Sequence, residues 1–265
     1  MLQQAIDLRE EAGALYRLLG RLEGSDWTRL TQFKAWTVND IVQHLHDSDL
    51  LAAASARDAG EYGRLRAEIM ARREGKSRVE ETRERFGHLT GHRLLARWKE
   101  TLDDLCTMLE TRNPSDRLKW SGPDMGVRMF ATARQMEVWA HGQAIYDLKG
   151  VRRENADRIK NIAVLGVRTF GWTFANRGEQ APEVMPFVRL TAPSGAIWEW
   201  NDPSSTAAVK GDAVEFCQVV TQVRNVRDTH LNVSGDAADR WMNIAQCFAG
   251  PPETPPTPGS RFMTL

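Results

Sequence analysis

Residues 125–150 read MGVRMFATARQMEVWAHGQAIYDLKG, and the fold and its chemistry are both decided there. At helical spacing Phe130, Ala133, Glu137, Ala140, His141, Ala144 and Leu148 make one stripe, apolar or small except at Glu137 and His141. Those two stand four residues apart, one turn from each other on the same helix face. The stripe predicts a core-facing helix, and a carboxylate and an imidazole turned into a core need a partner. A divalent cation satisfies both. So does a hydrogen bond between them, and spacing alone leaves the two readings open.

Upstream, residues 36–55 read WTVNDIVQHLHDSDLLAAAS. Thr37-Val-Asn-Asp40 opens a helix in the manner of a capping box. Its inward stripe is Ile41, His44, Leu45, Ser48, Leu51, Ala52 and Ser55, with His44 as the stripe's single imidazole. His46 lies about 200° around the helix from His44 and cannot share its face. One His from this helix and a Glu-x-x-x-His pair from the other make three N/O ligands. A metal so held keeps a position open for water or substrate.

The bulk composition restricts the function. The 265 residues have room for one large or two modest domains. Lysine plus arginine equals aspartate plus glutamate at 35 each, so net charge gives no support to nucleic-acid or membrane-surface binding. No apolar run reaches the roughly 18 residues of a membrane span, and MLQQAIDLREE has no signal-peptide core. Cys106, Cys217 and Cys247 are too scattered for a disulfide framework or a metal knuckle and read as small buried side chains. The expectation is a cytoplasmic protein; oligomeric state is left open.

Along the chain, residues 2–22 form an amphipathic helix through Ala5, Leu8, Ala12, Leu15, Leu19 and Leu22. Residues 61–86 hold fourteen charged residues in twenty-six without a sustained apolar stripe, which predicts a solvated helical extension or a mobile excursion. A further helix near 91–110 turns Leu95, Trp98, Leu102, Leu105 and Leu109 inward. Trp120-Ser-Gly-Pro-Asp124 is a turn-rich loop. Four striped helices argue for a four-helix bundle over residues 1–150. After Gly150 the pattern changes. Residues 154–175 make a fifth helix and 176–186 a linker. Residues 187–191 and 196–200 then form a hairpin around Pro193-Ser-Gly195. Two strand-to-helix units follow, at Gly211-Asp212 and Gly235-Asp236, each with an expected aspartate cap. Residues 151–265 are thus a small α+β domain ending in a proline-rich tail, and the fold class is α plus α+β.

Trp36-Thr-Val-Asn-Asp-Ile-Val-Gln-His44-Leu, Trp120-Ser-Gly-Pro and Arg134-Gln-Met-Glu137-Val-Trp-Ala-His141-Gly together resemble the mycothiol-dependent maleylpyruvate isomerase family, part of the DinB-like group of metal-binding four-helix bundles. The half containing Gly211-Asp212, Arg224, Asp228, Gly235-Asp236, Trp241 and Ala249-Gly-Pro-Pro252 resembles that family's sterol-carrier-like α/β domain. The resemblance covers most of the chain in the right order. It implies a divalent ion, Zn²⁺ foremost, on His44, Glu137 and His141. It also implies mycothiol or another small thiol as cosubstrate, a small-molecule substrate, and an arginine of the second domain, here Arg224, binding an anion. His46, His88, His92 and His230 read as exposed or structural. Asp47 and Asp49 could support His44 from behind, with solvation on the helix surface as the simpler account, and Trp36 and Trp139 read as packing residues. The function this implies is a metal- and thiol-dependent isomerase or transferase acting on a small electrophile. A metal-assisted hydrolase and a non-enzymatic metal- and ligand-binding protein are the alternatives.

Overall fold

The computed structural model describes residues 1–122 and 124–264. Pro123, in the expected loop 120–124, lies outside the described residues. The chain divides into two compact units, Met1–Ile145 and Tyr146–Leu265.

The first unit is helical. Four long helices carry it: α1 (Gln3–Leu19), α2 (Val38–Arg57), α5 (Gly91–Thr111) and α6 (Val127–Lys149), with the shorter α3 (Ala59–Arg72) and α4 (Arg78–Phe86) between α2 and α5. A two-stranded ribbon of β1 (Arg117–Leu118) and β2 (Met125–Gly126) leads into α6. The apolar stripes of α1 and α5 are buried as their periodicity predicts. Helix α2 departs from its expected single stripe, because Asp40, Gln43, His46, Asp47 and Asp49 are buried as well.

The charged segment explains that departure. It folds as α3 and α4, and α4 docks on α2 through ion pairs, with Phe86 as its one buried apolar side chain, against His46. Arg83 reaches both carboxylate oxygens of Asp40 at 2.7 Å, and Arg85 pairs with Asp47. Gln43 Nε2 donates to the carbonyls of Phe86 and Leu89 at 3.2 Å each. A helix held largely by charges has no reason to show a hydrophobic period. The expectation of a solvated or mobile excursion is therefore corrected for α4, which is docked, while α3, buried only at Tyr62, is the expected solvated helical extension.

Asp49 is likewise not solvated. It has no exposed surface and lies between three helices. Trp98 Nε1 of α5 donates to its Oδ2 at 2.9 Å, and Arg134 Nε of α6 to its Oδ1 at 2.9 Å. Burial pushes the Asp49 carboxyl upward, against the pull of Arg134 and Trp98.

The second unit is α+β. A four-stranded sheet has the order β4 (Ile197–Trp200), β3 (Phe187–Thr191), β5 (Ala208–Asp212), β6 (Asn232–Ser234), with β3–β5 parallel and the other pairs antiparallel. The expected fifth helix is broken into α7 (Lys160–Arg168) and α8 (Phe170–Ala175) at Thr169, whose Oγ1 donates to the carbonyls of Leu165 and Gly166. Asp212 caps α9 (Ala213–Val220) by accepting from the Val214 and Glu215 amides. At the second unit the cap residue of α10 (Asp236–Ile244) is Gly235, at φ +79°, and Asp236 is the first helical residue. A side chain at Gly235 would meet the Thr206 carbonyl at 2.8 Å, which is why glycine serves there. The proline-rich tail is tied down by side chains: Asn225 donates to the Pro256 carbonyl, and Gln222 and Arg177 to that of Glu253.

Breaking the Asp49 pair leaves a buried charge unpaired, which costs about 3–5 kcal/mol. Asp49→Ala and Arg134→Ala are each expected to lower the stability of the first unit by about that much in chemical denaturation. The double variant should lose clearly less than the two losses added together; additive losses would show that the two side chains are not coupled.

Candidate metal centre

Three helical side chains of the first unit converge. His44 on α2 and Glu137 and His141 on α6 each offer a ligand atom, and these atoms lie within 4.8 Å of one another. His44 Nε2 and His141 Nε2 both stand 3.2 Å from the same oxygen, Glu137 Oε2. Two helices meet here at two points. Asp49 pairs with Arg134, and His44, earlier on α2, meets Glu137, later on α6. Rising number on one helix matches falling number on the other at these contacts. The helices therefore run antiparallel, and the buried ion pair fixes the rotation that turns both α6 ligands toward His44.

The ligand strip of α6 is not the buried face its apolar pattern predicts. Glu137, Ala140, His141, Ala144 and Leu148 are half-exposed, while neighbours such as Val138, Trp139 and Gln143 are buried. Small residues at 140 and 144 leave the two ligands reachable, with 22% of the Glu137 side chain and 14% of the His141 side chain open to solvent.

A short loop before α2 closes the other side. Thr31 N and Oγ1 both donate to the Trp36 carbonyl, at 2.8 and 2.9 Å, and Trp36 N donates to the Phe33 carbonyl at 2.9 Å. Lys34 and Ala35 between them adopt left-handed backbone, φ +50° and +53°, which costs a non-glycine residue about 1–2 kcal/mol. That tight reversal brings both aromatic rings onto the imidazoles. Trp36 stacks parallel to His141 at 6.0 Å between centroids and meets His44 edge-on at 5.4 Å; Phe33 meets His141 edge-on at 4.9 Å. Thr37 then starts α2 with a full capping box against Asp40. Trp36 thus touches the site, whereas Trp139 is buried packing.

Electrostatics prepare the donors. Burial drives His44 down to about 3, and the nearby charge of Arg78, with the His141 imidazole, acts in the same direction against the hydrogen bond to Glu137. Burial alone would raise Glu137, but its hydrogen bonds to His141 and His44 prevail and hold it well below the usual carboxylate range. A neutral imidazole beside an ionised carboxylate is the protonation state a cation needs.

The donor set fits a divalent metal. For tetrahedral bonds of about 2.0–2.1 Å the edge between donors is roughly 3.3 Å, and the two Nε2···Oε2 separations of 3.2 Å lie close to it. Two imidazoles and one carboxylate suit zinc or a similar borderline ion and leave a position free. The fourth residue expected in function, Arg224, is placed in the second unit. Its Nη2 pairs with Asp147 Oδ1 at 2.7 Å, with both side chains largely buried. Sequence reasoning missed Phe33, whose placement depends on a left-handed turn without glycine, and Arg78, which lay in the segment read as solvated.

Comparisons with known proteins bear on the family and the fold. Residues 8–146 match the model of the mycothiol maleylpyruvate isomerase N-terminal domain. Uncharacterised proteins of two Mycobacterium tuberculosis strains are 34% identical over 246 residues, covering 93% of this chain and 95% of theirs. The fold is similar to the crystal structure of the mycothiol-dependent maleylpyruvate isomerase, with TM-score 0.54 and 12% identity over 82% of this chain and 87% of that one. A histidine-to-alanine mutant of that enzyme matches with TM-score 0.52 over the same shares. With residues 8–146, just over half of its length, matched by the family model, the chain belongs to the mycothiol maleylpyruvate isomerase family.

Proposed function

We propose that this protein is a metal-dependent enzyme that uses a small thiol, mycothiol or one like it, to isomerise a small electrophile or to transfer sulfur to it. The cation, Zn²⁺ foremost, is held by His44, Glu137 and His141. The observation that carries the reading is the convergence of those three donor atoms on a partly open strip of α6. Family membership supports the thiol.

A bound cation with a free position supplies Lewis acidity, so that a thiol reaching it is a thiolate at neutral pH. The chain's own residues do the rest. His44 and His141 would present neighbouring imidazole nitrogens, and Glu137 one negative charge that offsets part of the cation's. Phe33 and Trp36 keep water from one side of the imidazoles. In this reading the reactive sulfur comes from outside the protein, whose own three cysteines are all buried. Cys106 is pushed up to about 12 by burial, and Cys217 well above its ordinary value for the same reason. Arg224 remains the second unit's proposed anion-binding residue, and an incoming anion there must share or displace Asp147.

Metal analysis of the purified protein is expected to give close to one divalent ion per chain, with His44→Ala and His141→Ala each losing most of it; undiminished binding in both variants would remove the site. Acid dependence gives a second check on the metal-free protein. His44 is depressed in the folded state from 6.5 to about 3, so its neutral form adds stability above 6.5 that is lost as pH falls toward 3. The melting temperature should drop across that window, and less steeply in His44→Asn.

The thiol is tested on cobalt-substituted protein. Added thiol should shift the charge-transfer bands. Bands that do not respond, on an ion with four protein ligands, would make the metal structural and exclude the thiol reading. A spectrum that responds to water exchange alone would favour the hydrolase.

A further inference from the structure

Helix α4 delivers one more cation to the face of α2 that carries His44. Arg78 is its first helical residue, directly after the Ser77 cap. Its backbone is held by the Arg83–Asp40 and Gln43 contacts one to two turns further on. Its Nη2 donates to Ser48 Oγ at 2.8 Å, and Ser48 stands one helical turn from His44 on the same face. Asp47 Oδ2 is 3.8 Å away, but that carboxylate already pairs with Arg85. Among the described residues the Ser48 bond is the one hydrogen bond the Arg78 guanidinium makes, and 41% of its side chain is exposed. Arg134, the other arginine close to the ligands in sequence and space, is buried and engaged by Asp49. Glu137 is the acidic group that acts most strongly on Arg78, and Arg78 in turn acts on His44. A guanidinium carries five N–H donors in a planar fork suited to a carboxylate. Here most of that fork is unused, on a rigid base, bonded to the residue one turn from His44.

We propose that Arg78 is a specificity-determining residue: its fork receives a carboxylate on the molecule that occupies the metal centre, so that carboxylate-bearing ligands are selected over neutral ones. This deepens the reading above and rests on it. The carboxylate can belong to the thiol or to the electrophile, and Arg78 recognises the shared group. The docked helix α4, absent from any reading of the ligand motifs, thereby gains a role as the carrier of the selecting charge.

The test uses the full-length cobalt-substituted protein, titrated with mercaptoacetate and with the neutral mercaptoethanol and followed by the thiolate-to-cobalt band. Arg78→Met is expected to weaken mercaptoacetate roughly tenfold or more, the ordinary worth of a charge-assisted hydrogen bond, while mercaptoethanol changes less than about twofold. Arg78→Lys, which keeps the charge without the fork, should fall between. Equal losses for both thiols, or no loss for either, would overturn the proposal. Should neither thiol perturb the wild-type spectrum, the thiol reading fails on its own account. Arg78 is then judged by acetate titrated against the cobalt d–d bands: weaker acetate binding in Arg78→Met upholds its role, and unchanged binding overturns it. A melting temperature of Arg78→Met close to wild type confirms that the fold is intact in each arm.

Discussion

A carboxylate removed from water, Asp49, holds three helices in one arrangement. Taking it out of solvent is costly, and the cost is offset only if Trp98 and Arg134 are presented at the right rotation of α5 and α6. Apolar packing tolerates small rotations of a helix; a paired buried charge does not. On α6 the fixed rotation has a consequence one turn along, where Glu137 and His141 come to face His44. The Arg134 of the ligand motif is therefore a positioning residue for the two ligands that follow it.

The same polar logic runs along the rest of α2. Asp40 completes the capping box at the helix start and receives both arms of Arg83, so one side chain terminates a loop, begins a helix and anchors a second helix. Its carboxyl is held low by Arg83 and Thr37 despite burial. The loop that Thr37 ends is the one that carries Phe33 and Trp36 over the imidazoles. Backbone strain at Lys34 and Ala35 is tolerated because both flanks are fixed, by the Leu30–Thr37 bridge and by the α2 cap.

How much of this was legible in the sequence follows from which interactions have a period. Helices α1 and α5 bury apolar stripes, and the 3.6-residue rhythm placed them. The meeting of His44, Glu137 and His141 was legible too, because Glu137 and His141 interrupt an otherwise apolar and small stripe. Yet that stripe misled on burial: alanines at 140 and 144 mark an opening rather than a core. Docking of α4 by Arg83, Arg85 and Gln43 leaves no periodic trace, since charged residues on a docked face and on a solvated face look alike in sequence. Asp49 was unreadable for the same reason. The turn at 33–36 lacks the glycine or asparagine that usually announces left-handed backbone, so nothing pointed to Phe33. The break at Thr169 arises from a hydroxyl bonding back to its own helix, a choice that sequence leaves open.

The account turns on two imidazoles and one carboxylate sharing a cation that keeps an open position. X-ray absorption fine structure of the zinc-loaded protein, without added thiol, measures that environment directly. The expected first shell holds only nitrogen and oxygen at about 2.0–2.1 Å, with the outer-shell scattering of two imidazole rings. A protein sulfur in the first shell, or scattering from fewer than two imidazoles, would contradict it.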